Sequence, residues 1–188
     1  LMLSISTLLT AQNKYKAKLT KEVHEIFDVS SGVNLGIINK HGDITISTWD
    51  KNQIKVDVYI KVKSSKSDKA KTFIDDIDIN FEATASELEI KTIHPDKKNS
   101  WWNNWFSDSK NLAYEVNYTI SAPKTMNTYI DNKFGNIIQP NINGKSHITN
   151  KYGDLDIGNI TEHLELSLGY GKGKIGNAGN TTLQVKHS

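Results

Sequence analysis

The densest group of side chains able to bind something is Lys97-Lys98-Asn99-Ser100-Trp101-Trp102-Asn103-Asn104-Trp105-Phe106-Ser107-Asp108. It holds three of the chain's four tryptophans. Aromatic faces stack on sugar rings, settle at a membrane interface beside lysines, or anchor a partner protein. Trp101, Trp102, Trp105 and Phe106 are therefore the candidate ligand-binding residues, on a loop spanning 97–111. The competing reading is structural. The same loop would fold back over an open end of the molecule, or be buried where two copies associate.

Side chains suited to covalent or metal chemistry are sparse. Cysteine is absent, which excludes disulfides, thiolate metal sites and cysteine nucleophiles. Histidines 24, 41, 94, 147, 163 and 187 show no HExxH or paired-ligand spacing. There is no G-x-S-x-G and no P-loop. Gly169-Tyr170-Gly171-Lys172-Gly173 is glycine-rich but lacks the following helix that would hold a phosphate. Asp154, Asp156, Glu162 and Glu165 fall on neighbouring segments and offer oxygen ligands for Ca²⁺. The glycine-rich calcium-binding nonapeptide is absent, however, and Asp75-Asp76-Ile77-Asp78 lacks the EF-hand spacing. Solvated surface carboxylates are the simpler reading. No catalytic residue, metal or cofactor is assigned, and a non-enzymatic protein is expected.

The elements that position these residues come from the rest of the chain. At 188 residues with 37% hydrophobic and 23% charged side chains, it can bury a sizeable core. Net charge is +2, and all 23 basic residues are lysine. Arginine's planar fork, the preferred tool for phosphate and guanine, is missing, so no nucleic-acid partner is expected. No run of 18 apolar residues is present, so no complete membrane span is expected. The opening Leu1–Gln12 is short, apolar and ends in small residues. It reads as a signal-peptide remnant over 1–11, cleaved after Ala11, and predicts an exported protein. The other end stops at Gln184-Val185-Lys186-His187-Ser188, in the middle of a repeating pattern, and further coils are expected beyond it.

That pattern is Asn-Lys-aromatic-Gly-(Asp/Asn). It occurs at Asn39–Asp43, Asn132–Asn136 and Asn150–Asp154, with a degenerate copy at Leu168–Lys172. His41 fills the aromatic slot of its copy, so packing explains it. Gly135, Gly153 and Gly171 step by 18, as do Ile130, Ile148 and Leu166, and Asn141, Asn159 and Asn177. A short fixed period rich in β-branched residues, Gly and Asn predicts a parallel β-solenoid of about 18 residues per coil over 126–188. Phe134, Tyr152 and Tyr170 would stack. Gly42, Gly135, Gly153 and Gly171 would supply positive φ at a corner, and the corner asparagines would bond to their own backbone.

Residues 12–125 form a β-rich N-terminal part. Alternation predicts strands over 54–62, 88–90 and 114–120. Ala70, Phe73, Ile74 and Ile77 make one helical stripe, so a short helix over 67–77 is expected with Ser67 as N-cap. The expected fold is mostly β: a parallel β-solenoid with an antiparallel β insert and one short α-helix.

The run INKHGDITISTWDKNQIKVDVYIKV, the Ser-Ala-Pro-Lys step at 121–124, and the segments IDNKFGNI and ITNKYGDLDIGNI together resemble the DUF4097 family. These are adhesin-like proteins of Bacteroidetes-type bacteria, related to the head-domain adhesin-like families. The resemblance covers most of residues 19–188, and the lysine- and asparagine-rich composition fits an AT-rich genome of that kind. It implies a β-solenoid at the surface or envelope and carries over no catalytic residue. The expected function is a non-enzymatic adhesin-like or scaffolding protein of the periplasm, outer-membrane surface or extracellular space. It would present the Trp-rich loop to a glycan, an envelope surface or a protein, or to a second copy of itself. The alternatives are a periplasmic protein-binding module in envelope signalling and, further off, a carbohydrate-active enzyme.

Overall fold

The computed structural model describes residues 15–94 and 112–186. The apolar start and the Trp-rich segment, with Trp101, Trp102, Trp105 and Phe106, lie outside the described residues. In chain order the elements are β1 (Ala17–Asp28), β2 (Asn34–His41), β3 (Ile44–Trp49), β4 (Gln53–Ser64), α1 (Ser67–Asp75), β5 (Asp78–Ala83) and β6 (Glu87–Ile93). After the Trp-rich segment come β7 (Leu112–Pro123), β8 (Asn127–Phe134), β9 (Ile137–Gln139), β10 (Ser146–Tyr152) and β11 (Leu155–Ile157). The chain ends with β12 (Ile160–Tyr170), β13 (Gly173–Ile175) and β14 (Ala178–Val185).

The expected parallel β-solenoid with an antiparallel insert is not what forms. The strands make two mixed sheets of seven strands each, in the orders β1-β4-β7-β3-β9-β11-β13 and β14-β12-β10-β8-β2-β6-β5. In the first sheet β4 runs antiparallel to both β1 and β7; in the second β5 runs antiparallel to β6. The remaining neighbours are parallel. The 18-residue step measures one passage from a long strand of one sheet through a short strand of the other and back. It sets the register of β8, β10 and β12, pairing Ile130 with Ile148 and Ile148 with Leu166. It carries no information about the supposed insert, residues 44–125, which supplies three strands to the first sheet and two to the second. Left unpaired, the edges of β2 and β3 would expose backbone donors and acceptors. β6 and β7 take up those edges.

Alternation fills the space between the sheets. Ile54, Val56, Val58, Ile60 and Val62 of β4 meet Leu35 and Ile37 of β2, Leu88 and Ile90 of β6 and the Ile130–Ile148–Leu166 row within one buried apolar cluster. Each such side chain contributes about 1.5–3 kcal/mol through burial. α1 packs on β1 and β4 through buried Ala70, Phe73 and Ile74. It is shorter than expected: Ile77 lies beyond its end, yet is buried. Ser67 is not the N-cap. Lys66 takes that position with extended backbone and no side-chain cap.

Candidate functional site: an aromatic and lysine corner

The repeated motif builds one corner, where β2, β8, β10 and β12 turn toward the other sheet. His41, Phe134, Tyr152 and Tyr170 stack there as successive rungs. Ring centroids are 4.8, 4.9 and 5.0 Å apart and the planes lie within 8° of parallel. Tyr114 meets His41 edge-on at 4.7 Å and so closes the inner end of the ladder. Exposure rises outward, to 36% at Tyr152 and 45% at Tyr170.

Glycine makes this spacing possible. Gly42, Gly135, Gly153 and Gly171 have φ between 130° and 147°. A Cβ on Gly135, Gly153 or Gly171 would fall 2.0–2.1 Å from the carbonyl oxygen of the preceding glycine in the column. Only a residue without a side chain fits both constraints.

The corner polar residues act across layers. Asn117 Oδ1 accepts from the Asp43 N–H, Asp43 Oδ1 from Asn136, Asn136 Oδ1 from Asp154, and Asp154 Oδ1 from Lys172, at 2.7–2.9 Å. Asn141 and Asn159 do the same for Asn159 and Asn177 at the opposite turn. The expectation that these asparagines bond to their own backbone is thus corrected: each satisfies the N–H one layer away. The geometry also explains Asp154, whose carboxylate holds a backbone amide. Asp156, Glu162 and Glu165 lie beside Lys174, Lys145 and His147. Among the described residues no group of three or more His, Asp or Glu is placed to hold a metal.

Inside the corner, Asn39, Asn132 and Asn150 are buried and donate to the carbonyls of Val116, Gly42 and Gly135 at 3.0–3.1 Å. Thr92 links Asn39 Oδ1 at 2.9 Å to the Tyr118 hydroxyl at 2.5 Å. Burial holds His41 down to about 4, helped by the Lys40 and Lys133 charges, and takes His94 to about 4 as well. A neutral imidazole can serve as a stacking rung without a counterion. Burial also raises Tyr114 well above the ordinary phenol range and Tyr118 to about 12.

Outside the corner the motif lysine of each copy stands on the exposed face of the second sheet. The registers Asn39–Asn132–Asn150–Leu168 and His41–Phe134–Tyr152–Tyr170 bracket one row: Lys40, Lys133, Lys151 and Gly169. Lys186 follows on from β14, where Leu168 pairs with Val185. Lys133 Nζ lies 5.1 Å from the Phe134 centroid and Lys151 Nζ 5.6 Å from Tyr152. These lysines, with Asp131, Thr149, Ser167 and Tyr170, line an open groove of about 600 Å³. The row was legible in principle, because lysine precedes the aromatic in three motif copies, but a net charge of +2 hides it.

The two described ends of the Trp-rich segment reach the same corner. The His94 ring lies 5.6 Å from Tyr114, two residues after the start of β7. No helix among the described residues is long and apolar enough to cross a membrane.

No protein-family model matches the chain, the DUF4097 resemblance included, and no curated protein matches it. Among solved structures it is similar to the "putative cell adhesion protein" of Clostridium sporogenes, at 14% identity and TM-score 0.41 over 90% of this chain and 100% of that one. It is similar to a "putative adhesin" of Bacteroides fragilis, at 12% identity and TM-score 0.36 over 89% and 97%. A "putative adhesin" of Parabacteroides distasonis follows at 10% identity and TM-score 0.28 over 89% and 94%.

Proposed function

We propose that this chain is an exported, non-enzymatic protein of the cell envelope or surface with an adhesin-like role, whose binding elements are the aromatic corner and the Trp-rich segment at 97–111 of the sequence. The carrying observation is the aromatic corner, a layered stack that runs outward to exposed rings. Rigid, layered aromatics offer large contact area at low entropic cost.

The test replaces Trp101, Trp102 and Trp105 together by Ala and measures retention on intact bacterial cells and on a glycan array. The expected result is loss of retention with an unchanged circular dichroism spectrum. Undiminished retention overturns the reading, and release of shortened glycan products makes the protein an enzyme.

A further inference from the structure

The lysine row gains ring contacts at Lys133 and Lys151 but also carries a repulsion that sheet pairing does not require. Neighbouring strands stand about 4.8 Å apart, so Lys40, Lys133 and Lys151 place like charges on three adjacent strands, with Lys186 two strands further on. Like charges directly opposite one another oppose sheet formation. No described carboxylate forms a salt bridge with Lys133, Lys151 or Lys186, although Lys55, Lys61, Lys145 and Lys174 each have one. Among the described residues that line the groove, Asp131 is the one acidic side chain.

The row is broken at Gly169. A Cβ there would lie 2.5 Å from the Lys151 carbonyl oxygen, so the position carries no side chain. The result is a notch between Lys151 and Lys186 with a backbone floor and Tyr170 at its rim. Thr149 and Ser167 line the groove next to this row. A strip of ammonium groups, a row of hydroxyls and an exposed ring suit one ligand chemistry: sugar rings that carry acidic groups.

We propose that the groove on the outer face of the second sheet binds a linear acidic polysaccharide, laid across β2, β8, β10, β12 and β14. Carboxylates or sulfates on successive sugars meet Lys40, Lys133, Lys151 and Lys186, and one ring enters the notch at Gly169 and stacks on Tyr170. A polymer with one acidic group per sugar matches charges spaced by strands. Duplex DNA, at about one charge per 1.7 Å, is far denser, and the chain has no arginine with which to read it. The assignment rests on the binding role proposed above and names the ligand class of that corner.

The experiment titrates the protein with polygalacturonate, neutral dextran and a duplex DNA oligomer. The parent is expected to bind polygalacturonate and not dextran, with affinity falling on the order of tenfold between 50 and 200 mM salt. The triple variant Lys133→Gln, Lys151→Gln, Lys186→Gln is expected to lose at least tenfold in affinity while melting no lower than the parent, because a repulsive row has been removed. Tyr170→Ala is expected to weaken polygalacturonate binding several-fold with the salt dependence kept. Equal binding by the triple lysine variant, equal binding of dextran, or tighter binding of DNA each overturns the proposal. The two proposals fail separately. If the lysine variant binds polygalacturonate like the parent while the tryptophan variant loses cell retention, the groove assignment falls and the adhesin-like role stands. If the tryptophan variant keeps cell retention while the lysine variant loses polygalacturonate, the reverse holds.

Discussion

The corner makes its sharpest claim at Gly153. Its φ is 137°, and a Cβ would sit 2.1 Å from the Gly135 carbonyl oxygen, well inside the 3.4 Å at which ordinary contact begins. Gly153→Ala therefore meets two penalties. Left-handed backbone costs an alanine about 1–2 kcal/mol. The clash is with backbone, so the layer must open. That weakens the bonds from Gly135 N to Tyr152 O (2.9 Å), Gly153 N to Tyr170 O (3.0 Å) and Asp154 N to Asn136 Oδ1 (2.9 Å), each worth about 1 kcal/mol. The total is about 3–5 kcal/mol, or roughly 6–20 °C in Tm for a chain of this length.

Two other glycines separate the causes. Gly32 has φ 76° but nothing within 4 Å of its virtual Cβ, so Gly32→Ala should show strain alone, about 1 kcal/mol. Gly173 has neither positive φ nor a contact closer than 3.7 Å to a side-chain carbon. Gly173→Ala should be neutral or stabilising by up to about 1 kcal/mol. Urea denaturation of the three variants, read by circular dichroism, gives the order directly. If Gly153→Ala is no worse than Gly32→Ala, the layers are not closed through this column and the account of the corner is wrong.

Acid should loosen the same region. His41 and His94 titrate near 4 in the fold and near 6.5 when unfolded, so between those values the unfolded chain binds more protons. Their contribution is complete above pH 6.5 and is lost as pH falls toward 4, about 1–2 kcal/mol each after allowing for solvent screening. Asp57, held below the usual carboxylate range by Lys55 and His24, acts below that window. His41→Phe keeps the ring and should flatten the slope of stability against pH between 6.5 and 4; an unchanged slope refutes the assignment. Thr92→Val leaves buried Asn39 Oδ1 and the Tyr118 hydroxyl each without a bond. It should cost about 2–3 kcal/mol, with Tyr118→Phe recovering part of the loss in a double-mutant cycle; strict additivity would show the network is not coupled.

Much of this was legible in the residues. Alternation located the strands near 54–62, 88–90 and 114–120, because period two reports which face is buried. The 18-residue columns reported which residues lie side by side, and His41, Phe134, Tyr152 and Tyr170 do. Neither signal names a strand's neighbour outside the repeat. Val56 reads as inward-facing whether β4 belongs to an insert or, as it does, pairs with β1 and β7. The expected solenoid fails at that point, since a local period cannot say where a sheet ends. The motif itself divides by the same reasoning. Its Asn bonds a neighbouring carbonyl, its aromatic stacks, and its Gly admits the next layer; each lowers the energy of the corner. Its Lys repeats a like charge on adjacent strands, a repulsion that the contacts of Lys133 and Lys151 with the Phe134 and Tyr152 rings offset only in part. An acidic polymer laid across those strands would supply the counter-charge that no described carboxylate gives Lys133, Lys151 or Lys186 through a salt bridge.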